Sequence, residues 1–309
     1  MESVLFLTKE VELPRKSKRP RGRGRFPFAA AAAAAAAAMF ATACSPLATF
    51  GALVPKDAGV EVVARNVPYG ADARQRVDVY RPNRLGPQPL PIIVLFYGGS
   101  WNSGSKSGYA FVARALASKG FVVAIPDYRL VPKVRYPAFL QDGAAATRWI
   151  AANAAKLGGD PDRIVIAGHS AGAYNGAMLA YDPRWLQSDQ LRIRGFIGLA
   201  GPYDFLPFNG PVAREAFLGT ADLKSTQPVS FVRRGAPPAF LATGLKDNLV
   251  LPQNSDALAA RLELVGSSVV RKSYPHVGHV GVLAAIARPF RVRASVLNDM
   301  SAFATAATR

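Results

Sequence analysis

Cysteine is almost absent from this 309-residue chain. It occurs once, at Cys44, which excludes a disulfide framework within the chain. Histidine is nearly as scarce, with only His169, His276 and His279. Any imidazole chemistry must use one of those three. Acidic residues are also few: 20 Asp and Glu face 38 Lys and Arg, a net charge of +18. Such a balance can favour nucleic acid or anionic lipid. Residues 1–44, however, hold eight of the cations against Glu2, Glu10 and Glu12, a net of +5, which leaves +13 for residues 45–309. Those later charges are scattered. No basic run is interleaved with aromatics and no nucleic-acid motif is present, so they read as a solvated surface and no nucleic acid is expected as partner. No internal repeat is visible. Beyond the N-terminal segment, no stretch is long and apolar enough to span a membrane.

What the chain does have is core. It is 50% hydrophobic and 19% charged, enough for one large globular domain or two small ones. Its first 44 residues form a unit of their own. A basic stretch at 15–25 precedes an alanine run from Ala29 to Ala38, then Met39-Phe40-Ala41-Thr42-Ala43-Cys44. Basic region, apolar region and Ala-x-Ala make a secretory signal. The Ala43–Cys44 bond resembles a bacterial lipoprotein cleavage site, although Ala41 stands where that pattern favours Leu. Export is expected, to the periplasm or as a lipoprotein attached to the membrane through Cys44, with the basic surface assisting on anionic lipid. Residues 45–59 read as a linker.

From residue 60 the pattern alternates. Val60–Ala64 and Arg76–Tyr80 repeat apolar residues with period two, as paired edge strands do. Continuous apolar runs follow at Ile92–Phe96, Phe121–Ile125, Ile164–Ala167, Ile193–Ala200 and Ala239–Thr243, and a last strand is expected at Val269–Tyr274. Helical stretches fall between them at Tyr109–Ser118, Pro137–Ala155, Ala173–Ala180 and Ser255–Leu264. Strands alternating with helices imply an α/β fold, a mostly parallel central sheet with helices on both faces. Gly158–Arg163 reads as the turn into the Ile164–Ala167 run, and the proline-rich stretch 205–236 suits a small lid.

Between the Ile164–Ala167 run and the next helix lies Gly168-His169-Ser170-Ala171-Gly172. Strand, sharp turn and helix are the context that a nucleophile elbow requires. Glycines flank the serine because a Cβ there would collide with neighbouring backbone. The serine is held at the tip, beside the free N–H groups of a helix N-terminus.

These residues carry a resemblance, together with Tyr97-Gly98-Gly99-Ser100-Trp101, Asp127-Tyr128-Arg129, Gly159–Arg163, the glycine loop at Asp247 and Tyr274–His279. From about residue 60 the chain resembles α/β-hydrolases of the carboxylesterase type. It is most similar to the group of acetyl-xylan and feruloyl esterases, hormone-sensitive-lipase-like esterases, kynurenine formamidases and isoprenylcysteine methylesterases. The resemblance implies the α/β-hydrolase fold over residues 60–309 and the order nucleophile, acid, histidine. Ser170 is then the nucleophile. His279, after a glycine in the closing segment, is the base rather than His276. Asp247, after a glycine in a loop beyond an apolar strand, is the acid. Asp204 also follows a strand and is the alternative, while Asp256 falls in the first turn of a helix.

Tyr97–Trp101 stands where relatives carry His-Gly-Gly-Gly. The resemblance therefore implies an oxyanion hole of backbone N–H groups from Gly99, Ser100 and Ala171. The departures are Tyr97 for His and Ser100 for Gly, and backbone donors survive both. His169 fills a variable elbow position, packed within the elbow. Tyr97, Trp101, His169 and His276 are expected at the border of the substrate pocket. The implied activity is hydrolysis of carboxylic esters with small acyl groups, on a small-molecule or carbohydrate-linked substrate, through a Ser-His-Asp acyl-enzyme. No metal or cofactor is expected. An amidase, formamidase or peptidase would use the same three residues. A non-catalytic binding module on this fold would typically lose one of them.

Overall fold

A computed structural model describes residues 46–309 of the protein. The expected signal segment and Cys44 lie outside the described residues. Eight strands form one sheet: β1 Val60–Pro68, β2 Arg76–Pro82, β3 Leu90–Phe96, β4 Val122–Pro126, β5 Gly159–His169, β6 Ile193–Leu199, β7 Ala239–Gly244 and β8 Val269–Tyr274. Their spatial order is β1-β2-β4-β3-β5-β6-β7-β8. The β1–β2 and β2–β4 pairs are antiparallel, and all others are parallel. This is the α/β-hydrolase fold.

The α-helices longer than a single turn are α1 Pro46–Leu53, α2 Ala110–Ala117, α3 Ala138–Leu157, α4 Ala171–Tyr181, α5 Pro211–Ala216, α6 Gln253–Leu264, α7 His279–Ala284 and α8 Val296–Ala307, with a one-turn helix at Pro183–Leu186. Helices α2 and α8 touch each other and the sheet, while α3 and α4 touch each other and β5. Among the described residues, no helix is long and apolar enough to cross a membrane.

Burial explains the two kinds of strand pattern. Ile92–Phe96 and Ile164–Ala167 are wholly inaccessible, because parallel strands at mid-sheet are covered on both faces. β8 is an edge strand and keeps the polar Arg271, Lys272 and Ser273. Helix α4 is buried along its full length. Its small residues allow that: Gly176 lies so near Ile166 and Phe196 that a Cβ would sit 3.0 Å from each.

Two expectations need correction. Residues 45–59 are not simply a linker, since α1 occupies Pro46–Leu53. Its Phe50 packs on Phe111 and Phe290 at centroid distances of 5.4 and 5.7 Å, and Asp57 forms a two-pronged ion pair with Arg291. Apolar contact and charge together attach this segment to the domain. Gly158–Arg163 is only in part a turn. Gly158 ends α3 in the left-handed region, with φ of +81°. β5 then starts at Gly159, which pairs with Leu90 across a register shift. The stretch 205–236 contains α5 and single turns at Leu223–Thr226 and Pro228–Phe231.

Candidate active site

Ligands in open α/β sheets bind beyond the carboxyl ends of the strands, and four such ends converge here. Ser170 follows β5. Its φ and ψ are +54° and −126°, a conformation that costs a non-glycine residue about 1–3 kcal/mol. The surroundings enforce it: Ser170 N–H donates to Leu199 O at 2.9 Å. The flanking glycines behave as the elbow reading requires. A Cβ on Gly168 would lie 2.3 Å from Gly172 O, and one on Gly172 would lie 2.2 Å from Phe96 O and 2.4 Å from Tyr97 O. These obstacles are backbone and cannot step aside. Gly172→Ala is expected to cost about 3 kcal/mol or more. In a domain of this size that lowers Tm by about 6 to 12 °C, which a thermal melt will read directly.

Asp247 follows β7 and His279 follows β8. Ser170 Oγ donates to His279 Nε2 at 2.9 Å, and His279 Nδ1–H donates to Asp247 Oδ2 at 2.8 Å. The Asp247 side chain is fully buried and that of His279 is 10% exposed. The other carboxylate oxygen, Oδ1, accepts the N–H groups of Leu249 and Val250, each at 2.9 Å. Gly244 permits the approach of the two loops, since a Cβ there would lie 2.2 Å from Val277 O. Asp204 is exposed in the lining of a cavity beside Ser170, and among the described residues the carboxylate bonded to His279 is that of Asp247. Asp256 sits in the first turn of α6 and pairs with Arg271 at 3.0 Å.

The loop expected to carry the donors follows β3. Gly99 has φ of +131°, where a Cβ would meet Ser103 O at 2.3 Å. Ser100 and Trp101 follow at φ of +51° and +61°, both in the left-handed region. Three hydrogen bonds onto Gly99 O hold this path, from Asn102 N–H, Ser103 N–H and Ser103 Oγ. Val131 N–H donates to Trp101 O, and Trp101 Nε1–H to Asn175 Oδ1 at 3.1 Å. A tight turn and an indole anchor thus hold Ser100 and Trp101 at their positive φ. No hydrogen bond among the described residues uses the N–H of Gly99 or Ser100, and Ala171 is the first residue of its helix.

Ser100, Trp101, Ser170 and Ala171 line one cavity of about 410 Å³. Its lining continues through Phe205, Leu206, Pro207, Ala213, Leu249 and Val250, together with the polar Asp204, Asn209, Gln253 and Asn254. Trp101 stacks on Phe205 and meets Phe217 edge-on, and Phe208 stacks on Phe217. Of the four residues expected at the pocket border, only Trp101 is there. Tyr97 is buried on the other side of the loop. Its ring stacks on Tyr128 at 4.6 Å and its hydroxyl accepts from Arg74 Nη2 at 2.7 Å. His169 is buried beneath the elbow, and His276 is exposed, away from the cavity lining. Sequence reasoning missed the aromatic wall, because Phe205, Phe208 and Phe217 lie in an irregular stretch with no periodicity to flag them. It also missed Asn175 and Tyr109, whose partners are 74 and 60 residues away in the chain.

The motif Asp127-Tyr128-Arg129 supports this loop from below. Tyr128 Oη–H donates to Tyr97 O, Asp127 accepts from Lys106 N–H, and Arg129 grips Asp142 with two nitrogens.

The sequence profile of the BD-FAE family matches residues 77–262, a span that holds Ser170 and Asp247 and stops short of His279. The chain belongs to the BD-FAE family. Among curated relatives of this BD-FAE protein, esterase LipC of Mycobacterium tuberculosis is 31% identical over 238 residues, covering 70% of the chain and 59% of LipC. Esterase LipQ of the same organism is 30% identical over 256 residues, covering 76% and 61%. The chain thus spans about three-fifths of the length of these relatives. Among solved structures, inhibited esterase B from Lactobacillus rhamnosis superposes with a TM-score of 0.74 at 20% identity, covering 90% of the chain and 96% of that one. A truncated carbohydrate esterase from gut microbiota gives 0.69 at 22% identity, covering 82% and 99%. At such identities the superpositions show the fold that the BD-FAE chain shares with them.

Proposed function

We propose that the protein is a serine carboxylesterase acting on esters with small acyl groups. One observation carries this reading. The hydrogen-bonded series Ser170, His279, Asp247 ends, at Ser170, on a cavity that Ser100 and Ala171 also line. The esterase names borne by its relatives support it.

In this reading Ser170 Oγ attacks the ester carbonyl carbon while His279 Nε2 takes its proton. Asp247 holds the Nδ1–H tautomer and offsets the charge of the imidazolium that forms. The N–H groups of Gly99, Ser100 and Ala171 receive the oxyanion, each contributing roughly 3 kcal/mol at the transition state. His279 then returns the proton to the leaving alkoxide, and the alcohol departs. Water repeats the sequence on the acyl-enzyme and releases the carboxylic acid. Trp101 and Phe205 stack in the cavity wall that Ser170 also lines, and in this reading a short acyl group sits against them.

The full chain is expected to hydrolyse p-nitrophenyl acetate and butyrate faster than the laurate and palmitate esters, and to be labelled by a fluorophosphonate probe at Ser170. Absence of both turnover and labelling would sink the reading. Faster cleavage of matched anilides than of esters would redirect it to an amidase.

A further inference from the structure

His169 is adjacent to the nucleophile, yet it points away from the cavity. It is 3% exposed and has a partner on each ring nitrogen. On one side Nδ1 lies 2.7 Å from Tyr109 Oη. That hydroxyl already accepts the N–H of Gly98 at 2.9 Å. On the other side Nε2 lies 3.0 Å from the backbone carbonyl of His279, which can only accept, so the one proton of the neutral ring sits on Nε2. Nδ1 is then the unprotonated nitrogen and accepts the proton of the Tyr109 hydroxyl. Every donor faces an acceptor in this one arrangement. The series runs Gly98 N–H to Tyr109 O–H to His169 Nδ1, and His169 Nε2–H to His279 O.

The ends of that series are the two parts of the site that do not belong to the elbow. Gly98 begins the donor loop, and it approaches so closely that a Cβ would stand 2.9 Å from Ser170 Cβ and 3.1 Å from His169 Nδ1. His279 is the base, at the start of α7 after β8, three strands away from β5 in the sheet. We propose that His169 is a positioning residue that ties the oxyanion loop and the base to the nucleophile's elbow through one fixed, neutral tautomer. This role rests on the esterase reading above.

Neutrality is part of the design. Burial, and then the nearness of His279, lower the His169 pKa from 6.5 to about 3. Tyr109 and His279 are the titratable side chains whose rings meet it, the latter at a centroid distance of 4.9 Å. A charged ring there would oppose the imidazolium that His279 must become. The unfolded chain takes a proton on this histidine below pH 6.5 while the folded chain refuses it down to about pH 3. The folded state therefore loses stability through His169 as pH falls from 6.5 to about 3.

Three variants separate hydrogen bonding from packing, each assayed with p-nitrophenyl acetate alongside a thermal melt. His169→Leu keeps bulk and removes both bonds; kcat is expected to fall about 30- to 100-fold with KM within about twofold, as for a sub-ångström to 1 Å misplacement of reacting groups. Tyr109→Phe removes one oxygen and is expected to lower kcat about tenfold by the same route. His169→Gln restores a donor toward His279 O and is expected to recover most of the loss seen with Leu, while flattening the acid-side fall in stability. Should His169→Leu fail to fold, the Tyr109→Phe and His169→Gln pair carries the test. Leu and Phe variants within about twofold of wild type, or a Gln variant as slow as Leu, would overturn the proposal. If wild type turns over no ester, the esterase reading has failed. Fluorophosphonate labelling rates at Ser170 then report the same variant ratios and decide the positioning role separately.

Discussion

Ser170→Ala is expected to lower kcat for p-nitrophenyl acetate by roughly 10⁶-fold, and His279→Ala by a similar factor. Removing both is expected to add little. The attacking oxygen and the base act as one unit: the 2.9 Å hydrogen bond between them is the path of the proton, and either group alone is idle. KM should change little for either variant, because neither side chain is a large part of the cavity wall. What remains is the contribution of the N–H donors and of binding, roughly 10³- to 10⁴-fold over water. His276→Ala is the matching control. It lies on the same loop, but it is exposed and absent from the cavity lining, and its variant is expected within about twofold of wild type. A dead His276→Ala with an active His279→Ala would reverse the assignment of the base.

Asp247→Asn is expected to lower kcat by about 10⁴-fold, equivalent to about 5.5 kcal/mol of transition-state stabilisation. The structure makes the reason specific. Oδ1 of Asp247 accepts two N–H groups, from Leu249 and Val250. An asparagine keeps those bonds only by placing its amide oxygen there. Its NH₂ then faces Nδ1 of His279 and donates to it. The histidine proton is driven to Nε2, the nitrogen that must accept from Ser170. Both nitrogens would then be committed the wrong way round, with geometry almost unchanged. Asp247→Ala differs instructively. It frees the N–H groups of two residues next to the cavity, so KM is expected to rise as well as kcat to fall. Steady-state kinetics of the two variants, with crystal structures or melts to check folding, read this difference. An Asp247→Asn enzyme within tenfold of wild type would remove the acid from the mechanism.

The lesson about sequence and structure lies in which constraints are local. The elbow was legible because its cause is local: within five residues, a Cβ on Gly168 runs into the backbone of Gly172. The parallel sheet was legible because strands buried on both faces, such as Ile92–Phe96, must be continuously apolar. Asp247 and His279 became legible through chain order and resemblance, since each follows its own strand and a glycine. Their meeting was then a matter of adjacent strands with a common direction.

Other features depended on which way a side chain turns. Tyr97 and Trp101 sit four residues apart in one loop, yet the first stacks on Tyr128 in the interior and the second lines the cavity. Consecutive positive φ values at Gly99, Ser100 and Trp101 cause that divergence, and only the hydrogen bonds closing the turn make them tolerable. The segment 45–59 read as a linker because its eight-residue helix is too short to stand alone, and its packing on Phe111 and Phe290 appears only in three dimensions. His169 is the clearest case. By itself, the sequence determined that a serine stands on an elbow between a buried strand and a helix, with an acid and a histidine to follow. The tertiary structure alone decided that the histidine beside that serine joins Gly98 and His279, because its partners come from segments after two other strands and their bonds exist only once the sheet has assembled.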